Sequence, residues 1–208
     1  LANMLAGHME IENPHHRALV QGFWKSPTIA SKPGLKAVDM FKAVADGRIK
    51  ALWIMSTNPA VSLPDADAVR AAIAACPFVV VSDASALTET VALAHVKLPA
   101  TAWGEKDGTV TNSERRISRQ RAFLPSPGEA RPDWEHIAEV ATRMGFSGFD
   151  WLHPAGIFTE HAALSGIDNL GSRDFDISAM GQISAEEFET LEPFQWPWPA
   201  GTPKQDRR

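Results

Sequence analysis

Residues 50–83 have the sequence KALWIMSTNPAVSLPDADAVRAAIAACPFVVVSD, in which a segment of helical periodicity joins two short apolar runs. The apolar runs, at residues 50–55 and 78–81, are unbroken, and this is typical of strands buried in a parallel sheet. The segment between them begins after Asp65 and keeps its apolar residues at helical spacing until shortly before Pro77. Strand, helix and strand in this order predict a parallel βαβ unit.

The same alternation continues on both sides of this unit. Residues 35–46 carry apolar side chains at helical spacing, residues 88–94 predict a short helix, and residues 95–98 predict a third strand. We therefore predict an α/β fold in which a parallel sheet is flanked by helices. An amphipathic helix at residues 133–145 completes the predicted domain, which spans residues 35–145.

Three further segments flank the predicted domain. Residues 1–34 are expected to be an irregular segment of a preceding domain, because Asn-Pro, Ser-Pro and Pro-Gly pairs interrupt them. Residues 146–195 are expected to form an acidic, irregular and mostly helical appendage, with short helices around residues 155–164 and 184–190. Residues 196–208 are Pro-rich and are expected to connect to a further domain. Since the chain opens inside a helical pattern without a cap, we expect it to be an internal fragment of a longer protein.

The composition suits a globular protein and excludes several classes. The 208 residues are 44% hydrophobic and 22% charged, and the net charge of −5 does not suggest a large nucleic-acid-binding surface. No apolar run reaches membrane-spanning length and no secretory signal is present, so we expect a cytoplasmic protein with neither nucleic acid nor a membrane as partner. The single cysteine, Cys76, excludes an internal disulfide framework and a Cys-rich metal site within this chain, and we expect its thiol to be buried.

Polar residues follow the first two predicted strands. Asn58 comes after the first strand, and Ser82 and Asp83 come after the second. In open parallel sheets, ligands bind at the carboxyl ends of the strands, where a carboxylate or an amide can hold ribose hydroxyls or the N–H edge of a purine. The alternative is turn chemistry, since Asn and Asp favour turns, and the phosphate fingerprint G-x-G-x-x-G is absent. The residues alone leave both interpretations open.

A basic segment of weak periodicity, residues 99–132, follows the third predicted strand and is expected to be loops. Its Lys106, Arg115 and Arg116 could neutralise a phosphate or pyrophosphate, and the alternative is a solvated surface loop. Asp133 is placed to cap the helix that follows. The scattered histidines are interpreted as structural, and neither a zinc-ligand spacing nor a G-x-S-x-G elbow is present. From its residues, the chain is an α/β nucleotide-binding module, with no catalytic residue and no metal ligand derivable from them.

Several motifs, in a fixed order, resemble one family. They are WIMSTNPA from Trp53, FVVVSD from Phe78, W-x-E-K-x-G-T-x-T-N-x-E-R-R from Trp103, then PGEARPDW, and FQWPWP near the end of the chain. These motifs resemble those of the molybdopterin oxidoreductases that carry bis(molybdopterin guanine dinucleotide). Within that family they are most similar to the bacterial assimilatory nitrate reductases, and the resemblance covers nearly the whole chain.

The resemblance implies a fold and a set of cofactor contacts. The sheet would be Rossmann-like and would bind the guanosine end of one dinucleotide of the cofactor. In the family, cofactor contacts fall on the Asn of T-N-P, the Ser-Asp after the second strand, the Lys of W-x-E-K and the Asp of R-x-D. At the matching positions this chain has Asn58, Ser82, Asp83, Lys106 and Asp133.

The resemblance also implies an oxidoreductase as the whole enzyme. Such an enzyme would reduce nitrate to nitrite by oxygen-atom transfer to molybdenum, with electrons from a donor protein or domain passing through a [4Fe–4S] cluster. This chain lacks the cysteines for that cluster and the motif for the molybdenum ligand, so we expect the chain alone to be inactive. Two alternatives stay open: a formate dehydrogenase of the same family, and a non-catalytic nucleotide-binding module that has kept the fold.

Overall fold

The computed structural model describes residues 5–204. The helices are, in chain order, α1 (Pro14–Trp24), α2 (Ala37–Ala45), α3 (Pro59–Ser62), α4 (Ala66–Ala75), α5 (Glu89–Ala92), α6 (Asp133–Arg143), α7 (Pro154–Gly166) and α8 (Ala185–Glu189). The strands are β1 (Ala51–Met55), β2 (Phe78–Asp83), β3 (Val96–Pro99), β4 (Gly108–Thr111), β5 (Arg116–Gln120) and β6 (Phe194–Gln195). The chain divides into two compact units. Among the described residues, the parallel-sheet unit comprises 35–106 and 122–145, and the antiparallel-sheet unit comprises 5–34, 107–121 and 146–204.

The parallel-sheet unit is built around strands β1, β2 and β3, which are parallel and lie side by side in that order. In the register of the sheet, Ala51 pairs with Phe78, and Val80 pairs with Val96. Helices α2 to α5 alternate with the strands along the chain. The predicted fold, a Rossmann-like parallel sheet flanked by helices, is therefore confirmed, and the three strands end at the same edge of the sheet.

Alternate residues of the strands form the core of this unit, because successive side chains of a strand point to opposite faces. Leu52, Ile54, Val79 and Val81 are buried in one cluster with apolar residues of α2 and α4. Cys76 is buried in the same cluster, as predicted. The predicted burial of these strands applies to one face among the described residues, since most of the intervening positions of β1 and β2 are partly or fully exposed.

The antiparallel-sheet unit corrects the expectation that residues 99–132 are loops. Strands β4 and β5 form an antiparallel hairpin, and β6 pairs with the other side of β5. The side chain of Asn112 holds the turn between β4 and β5, because it accepts hydrogen bonds from the backbone N–H groups of Glu114 (3.0 Å) and Arg116 (3.0 Å). Apolar residues of β5, β6, α7 and α8 form the core of this unit.

The segment before the predicted domain is more regular than expected. Residues 1–34 contain helix α1, where Asn13 is the N-cap and its side chain accepts a hydrogen bond from the backbone N–H of His15 (2.9 Å). This corrects the expectation of an irregular segment. Most of the helical pattern at the start of the chain lies in residues 1–4, outside the described residues.

The segments after the predicted domain also contain ordered structure. Helices α7 and α8 confirm the two short helices expected there. Trp196 and Trp198, in the expected connector 196–208, pack against the core of the antiparallel-sheet unit, while residues 205–208 lie outside the description. Residues 107–121 belong to this unit, which differs from a single domain over 35–145. Within residues 5–204, every helix is too short or too polar to cross a membrane.

Candidate functional site

The carboxyl ends of the parallel strands form one edge of the sheet. The backbone N–H of Ser56, which directly follows β1, donates to the carbonyl of Ser82 (3.0 Å). On the other side of β2, the N–H of Ala100 donates to the carbonyl of Asp83 (3.0 Å). The residues after β1 and at the end of β2 therefore lie side by side, at the edge where ligands bind in folds of this kind.

The start of helix α6 reaches the same edge. Arg131 pairs with Ala100 in a parallel bridge, and its N–H donates to the carbonyl of Pro99 (3.1 Å). Pro132 is the N-cap of α6, and Asp133 is the first residue of the helix. The prediction that Asp133 caps the helix is therefore wrong, and its carboxylate contacts other groups.

The carboxylate of Asp133 is held by two donors. Its Oδ2 accepts a hydrogen bond from the Ser56 hydroxyl (3.1 Å) and lies 3.2 Å from Nζ of Lys106. The side chains of Lys106 and Asp133 are 34% and 22% exposed, so this ion pair is partly shielded from solvent. The positive end of the α6 dipole also favours a negative charge at the first residue of the helix. The structure thus brings together two of the predicted site residues, Lys106 and Asp133.

Buried polar atoms without partners lie on the elements that form this edge. Oδ1 of Asp133, Nε1 of Trp134 and Oγ1 of Thr101 are buried and have no hydrogen-bond partner within residues 5–204. A buried polar group left unpaired costs about 1–3 kcal/mol. Such groups in folded proteins are usually satisfied by water or by a ligand. Oδ1 of Asp133 is therefore a buried acceptor without a partner at this edge, and its chemistry fits a donor group of a polar ligand such as a nucleotide.

Ser82 and Asp83 lie at the edge and are partly engaged by the fold. Ser82 is 1% exposed, and its hydroxyl oxygen accepts a hydrogen bond from the indole N–H of Trp53 (2.9 Å). Oδ1 of Asp83 accepts from the backbone N–H of Ser85 (2.9 Å), which is the turn chemistry of the alternative interpretation. The turn orients the Asp83 carboxylate, and the residue stays partly exposed at the end of β2.

Asn58 connects two helices of the parallel-sheet unit. Its Oδ1 accepts from the backbone N–H (3.2 Å) and the hydroxyl (2.7 Å) of Thr90, and its Nδ2 donates to the carboxylate of Glu89 (2.8 Å). This last hydrogen bond is the main reason that the pKa of Glu89 lies below its ordinary value. The Asn58 amide therefore ties the start of α3 to α5, and it is engaged there rather than at the Asp133 carboxylate.

The basic residues of the predicted loop fall into different units. Lys106 belongs to the parallel-sheet unit, and Arg115 and Arg116 belong to the antiparallel-sheet unit. The guanidinium of Arg115 lies over the indole of Trp196, 5.2 Å from the ring centroid, and Arg116 pairs with Gln195 in the sheet. The contact with Trp196 gives Arg115 a structural role, the pairing of Arg116 is through its backbone, and Lys106 is the cation that contacts Asp133.

Ser56, which contacts Asp133, was not among the site residues predicted from the sequence. Its position directly after a predicted strand was visible in the sequence. Its left-handed backbone, with φ of 52°, and its hydrogen bond to a residue 77 positions later were not. The unpaired atoms of Thr101 and Trp134 are likewise visible only in the structure.

One cluster in the antiparallel-sheet unit has the composition of a metal site. Ligand atoms of Asp107, His153 and Glu189 all lie within 4.8 Å of one another. Arg119, whose side chain is 1% exposed, is ion-paired with Asp107 and with Glu189 (2.9 Å). The guanidinium offsets the charge of both carboxylates, so we assign this cluster a structural role.

Comparison with known proteins identifies the family. The family model described as molybdopterin oxidoreductase matches residues 3–143, which is more than half of the chain. The chain therefore belongs to the molybdopterin oxidoreductase family, as its motifs predicted.

Individual relatives agree with this assignment. A nitrate reductase of Klebsiella oxytoca is 56% identical over 198 residues, which are 95% of this chain and 23% of that protein. A formate dehydrogenase subunit alpha of Methanocaldococcus jannaschii is 38% identical over 161 residues, which are 77% of this chain and 23% of that protein. This chain thus spans about a quarter of the length of the curated relatives it matches. The structure of acetylene hydratase from Pelobacter acetylenicus has the same fold, with a TM-score of 0.58 at 20% identity over 78% of this chain and 21% of that chain.

Proposed function

We propose that this chain is the part of a molybdenum-dependent nitrate reductase that binds the guanosine end of a molybdopterin guanine dinucleotide. The observation that carries the proposal is the buried, unpaired Oδ1 of Asp133 beside Lys106, at the carboxyl edge of the sheet. Membership of the molybdopterin oxidoreductase family supports the choice of cofactor. The 56% identity to a nitrate reductase supports the choice of substrate.

The chemistry of guanosine fits the groups at this edge. Guanine offers N1–H and N2–H₂ as donors and ribose offers its hydroxyls, so both ends of the nucleoside need acceptors. Asp83 and Asp133 supply carboxylates, one for the base and the other for the ribose. Lys106 keeps donor capacity beyond its contact with Asp133, because an ammonium group has three N–H donors, and it supplies positive charge toward a phosphate. Ser82 and Asn58 complete the proposed set and shape the ends of β1 and β2.

The residues of this chain bind and orient the cofactor, and none of them is assigned a catalytic step. When bound in the whole enzyme, the bis(molybdopterin guanine dinucleotide) molybdenum group supplies the oxygen-atom transfer that converts nitrate to nitrite. Electrons would come from a donor protein or domain through a [4Fe–4S] cluster whose ligands are not among the residues of this chain. We place the whole enzyme in the cytoplasm and propose that this chain alone is inactive.

A formate dehydrogenase is the second candidate, because a relative of that name is 38% identical to this chain. The higher identity to a nitrate reductase favours nitrate. The activity of the full-length protein, assayed with nitrate and with formate, distinguishes a nitrate reductase from a formate dehydrogenase. Nitrate reduction without formate oxidation is the expected result, and the opposite result would overturn the choice of substrate.

Calorimetric titration of the chain with guanosine diphosphate tests the binding function. We expect guanosine diphosphate to bind more tightly than adenosine diphosphate, because adenine presents an acceptor where guanine presents N1–H, and the site offers carboxylate acceptors. Asp83→Ala and Asp133→Ala should each weaken the binding of guanosine diphosphate about tenfold, since each removes an acceptor of a charge-assisted hydrogen bond.

Asp39→Ala is the matched control for these variants. Asp39 is an exposed carboxylate of the same unit, in helix α2, and pairs only with Lys42 at the surface (3.5 Å) among the described contacts. It should bind guanosine diphosphate as the unmodified chain does. Equal affinity for guanosine diphosphate in the unmodified chain and in both site variants would contradict the proposed site.

A further inference from the structure

Ser56 adopts an uncommon backbone conformation at the point where β1 ends. Its φ is 52°, in the left-handed region that residues with a Cβ rarely adopt. The hydrogen bond from its backbone N–H to the carbonyl of Ser82 (3.0 Å) holds this conformation in place. Backbone strain of this kind is concentrated at functional sites.

The Ser56 hydroxyl acts on the Asp133 carboxylate. It donates to Oδ2 of Asp133 (3.1 Å), which also lies 3.2 Å from Nζ of Lys106. Two donors on one oxygen restrict the rotation of the carboxylate, and they leave Oδ1 as its buried acceptor. Ser56 itself is exposed, so its side chain contributes little to the packing of the unit.

We propose that Ser56 is a positioning residue, which orients the Asp133 carboxylate to receive a donor group of the nucleotide. This inference rests on the proposed function, because it takes Asp133 to contact the guanosine end of the cofactor. A carboxylate that is already fixed loses less conformational entropy when the ligand binds. Ser56 thus contributes to affinity through Asp133, without touching the ligand.

The test compares Ser56→Ala with Ser56→Gly in the chain, using calorimetric titration with guanosine diphosphate. Both variants lack the hydroxyl, and Gly in addition relieves the left-handed backbone. We expect both to weaken binding about threefold to tenfold, which corresponds to the net contribution of one ordinary hydrogen bond, because Ser56 acts on the ligand only through Asp133. Thr57→Ala, at the neighbouring exposed position, is the matched control and should leave binding unchanged. The thermal midpoint of each variant verifies that it is folded.

A second measurement separates positioning from a general structural effect. In the Asp133→Ala background, which removes the acceptor of the Ser56 hydroxyl, Ser56→Ala should change the affinity for guanosine diphosphate less than about twofold, because Ser56 acts through the Asp133 carboxylate. An undiminished effect of Ser56→Ala in that background overturns the proposal. If Asp133→Ala alone abolishes binding, the comparison of Ser56→Ala with Ser56→Gly decides between the hydroxyl and the backbone conformation.

The outcomes distinguish this inference from the proposed function. Absence of guanosine diphosphate binding by the unmodified chain overturns the proposed function, and the role of Ser56 with it. Binding by the unmodified chain, with equal affinity in both Ser56 variants, overturns only the positioning role. Weak binding by Ala with normal binding by Gly would assign the effect to the backbone conformation, and it would overturn the role of the hydroxyl.

Discussion

Replacement of Asn58 by Ala should destabilise the parallel-sheet unit. The Asn58 side chain accepts both the backbone N–H (3.2 Å) and the hydroxyl (2.7 Å) of Thr90. Thr90 is 0% exposed, so neither donor can turn to solvent when its acceptor is removed. The variant therefore leaves two buried donors without their acceptor.

The magnitude follows from these two donors. A buried donor that loses its partner costs about 1–3 kcal/mol. The Thr90 hydroxyl keeps one contact, because its oxygen still accepts a hydrogen bond from the N–H of Ala60 (3.2 Å). We therefore expect Asn58→Ala to lower the free energy of unfolding by about 2–4 kcal/mol. The contact of Asn58 with Glu89 is at the surface and contributes little to stability.

Urea unfolding and amide hydrogen exchange measure this effect and its location. Exchange should accelerate in α3 and α5, which Asn58 joins, and should stay unchanged in α7 of the antiparallel-sheet unit. Asn58→Asp is the matched variant. Compared in a Glu89→Gln background, where no second carboxylate lies opposite, it keeps an acceptor for Thr90 and should lose less stability than Asn58→Ala.

A loss below about 1 kcal/mol in Asn58→Ala would refute the reasoning that Thr90 depends on this amide. Equal acceleration of exchange in α3 and α7 would also refute it, because the effect would then not be local. Retained stability together with lost binding of guanosine diphosphate would show that Asn58 acts mainly on the ligand.

Two further predictions concern the antiparallel-sheet unit. Gly166→Ala should destabilise it by about 1–3 kcal/mol, because the added Cβ would clash with the side chain of Ser178. Gly22→Ala, in α1 with nothing within 4 Å of the added Cβ, should be neutral or stabilising, and equal losses in urea unfolding would contradict this. Burial, and secondly the charge of His8, lower the pKa of His161 from 6.5, so the unfolded chain binds more protons. Stability should be fully present above pH 6.5 and fall as the pH drops from there toward the folded pKa. His161→Gln should reduce this loss as the pH falls below 6.5, and an unchanged pH profile would contradict it.

The parallel sheet could be predicted because its evidence is local. Each strand and helix carries its own periodicity, and short connections then favour a parallel arrangement. The hairpin of β4 and β5 could not be predicted in the same way. Its strands contain few apolar residues, and Ile117 pairs with Phe194, which lies far along the chain. The local sequence of one strand contains no information about a pairing partner so far along the chain.

In the candidate site, too, features with a local signal could be predicted from the sequence and long-range contacts could not. Ser82 and Asp83 were located by topology, since parallel strands end at one edge of a sheet. The contact of Lys106 with Asp133 forms because the chain returns to the edge of β3, which no local pattern shows. Lys106 was indicated by its basic segment, whereas only the family resemblance indicated Asp133 as a cofactor contact. Asn58 was selected at a strand end, but its amide is engaged by Thr90, a partner that no local pattern identifies.

The position of Asp133, one residue inside helix α6, explains why its carboxylate is available. An N-cap carboxylate accepts a hydrogen bond from a backbone N–H in the first turn and satisfies the helix instead of a ligand. Here Pro132 occupies the N-cap position and its side chain makes no capping hydrogen bond. The Asp133 carboxylate contacts Ser56 and Lys106 instead. The dipole of α6 still favours the negative charge, while one oxygen of the carboxylate stays buried without a partner among the described residues. Because Asp133 lies one residue inside the helix and not at the N-cap, its carboxylate is free to serve as the acceptor that the proposed guanosine site requires.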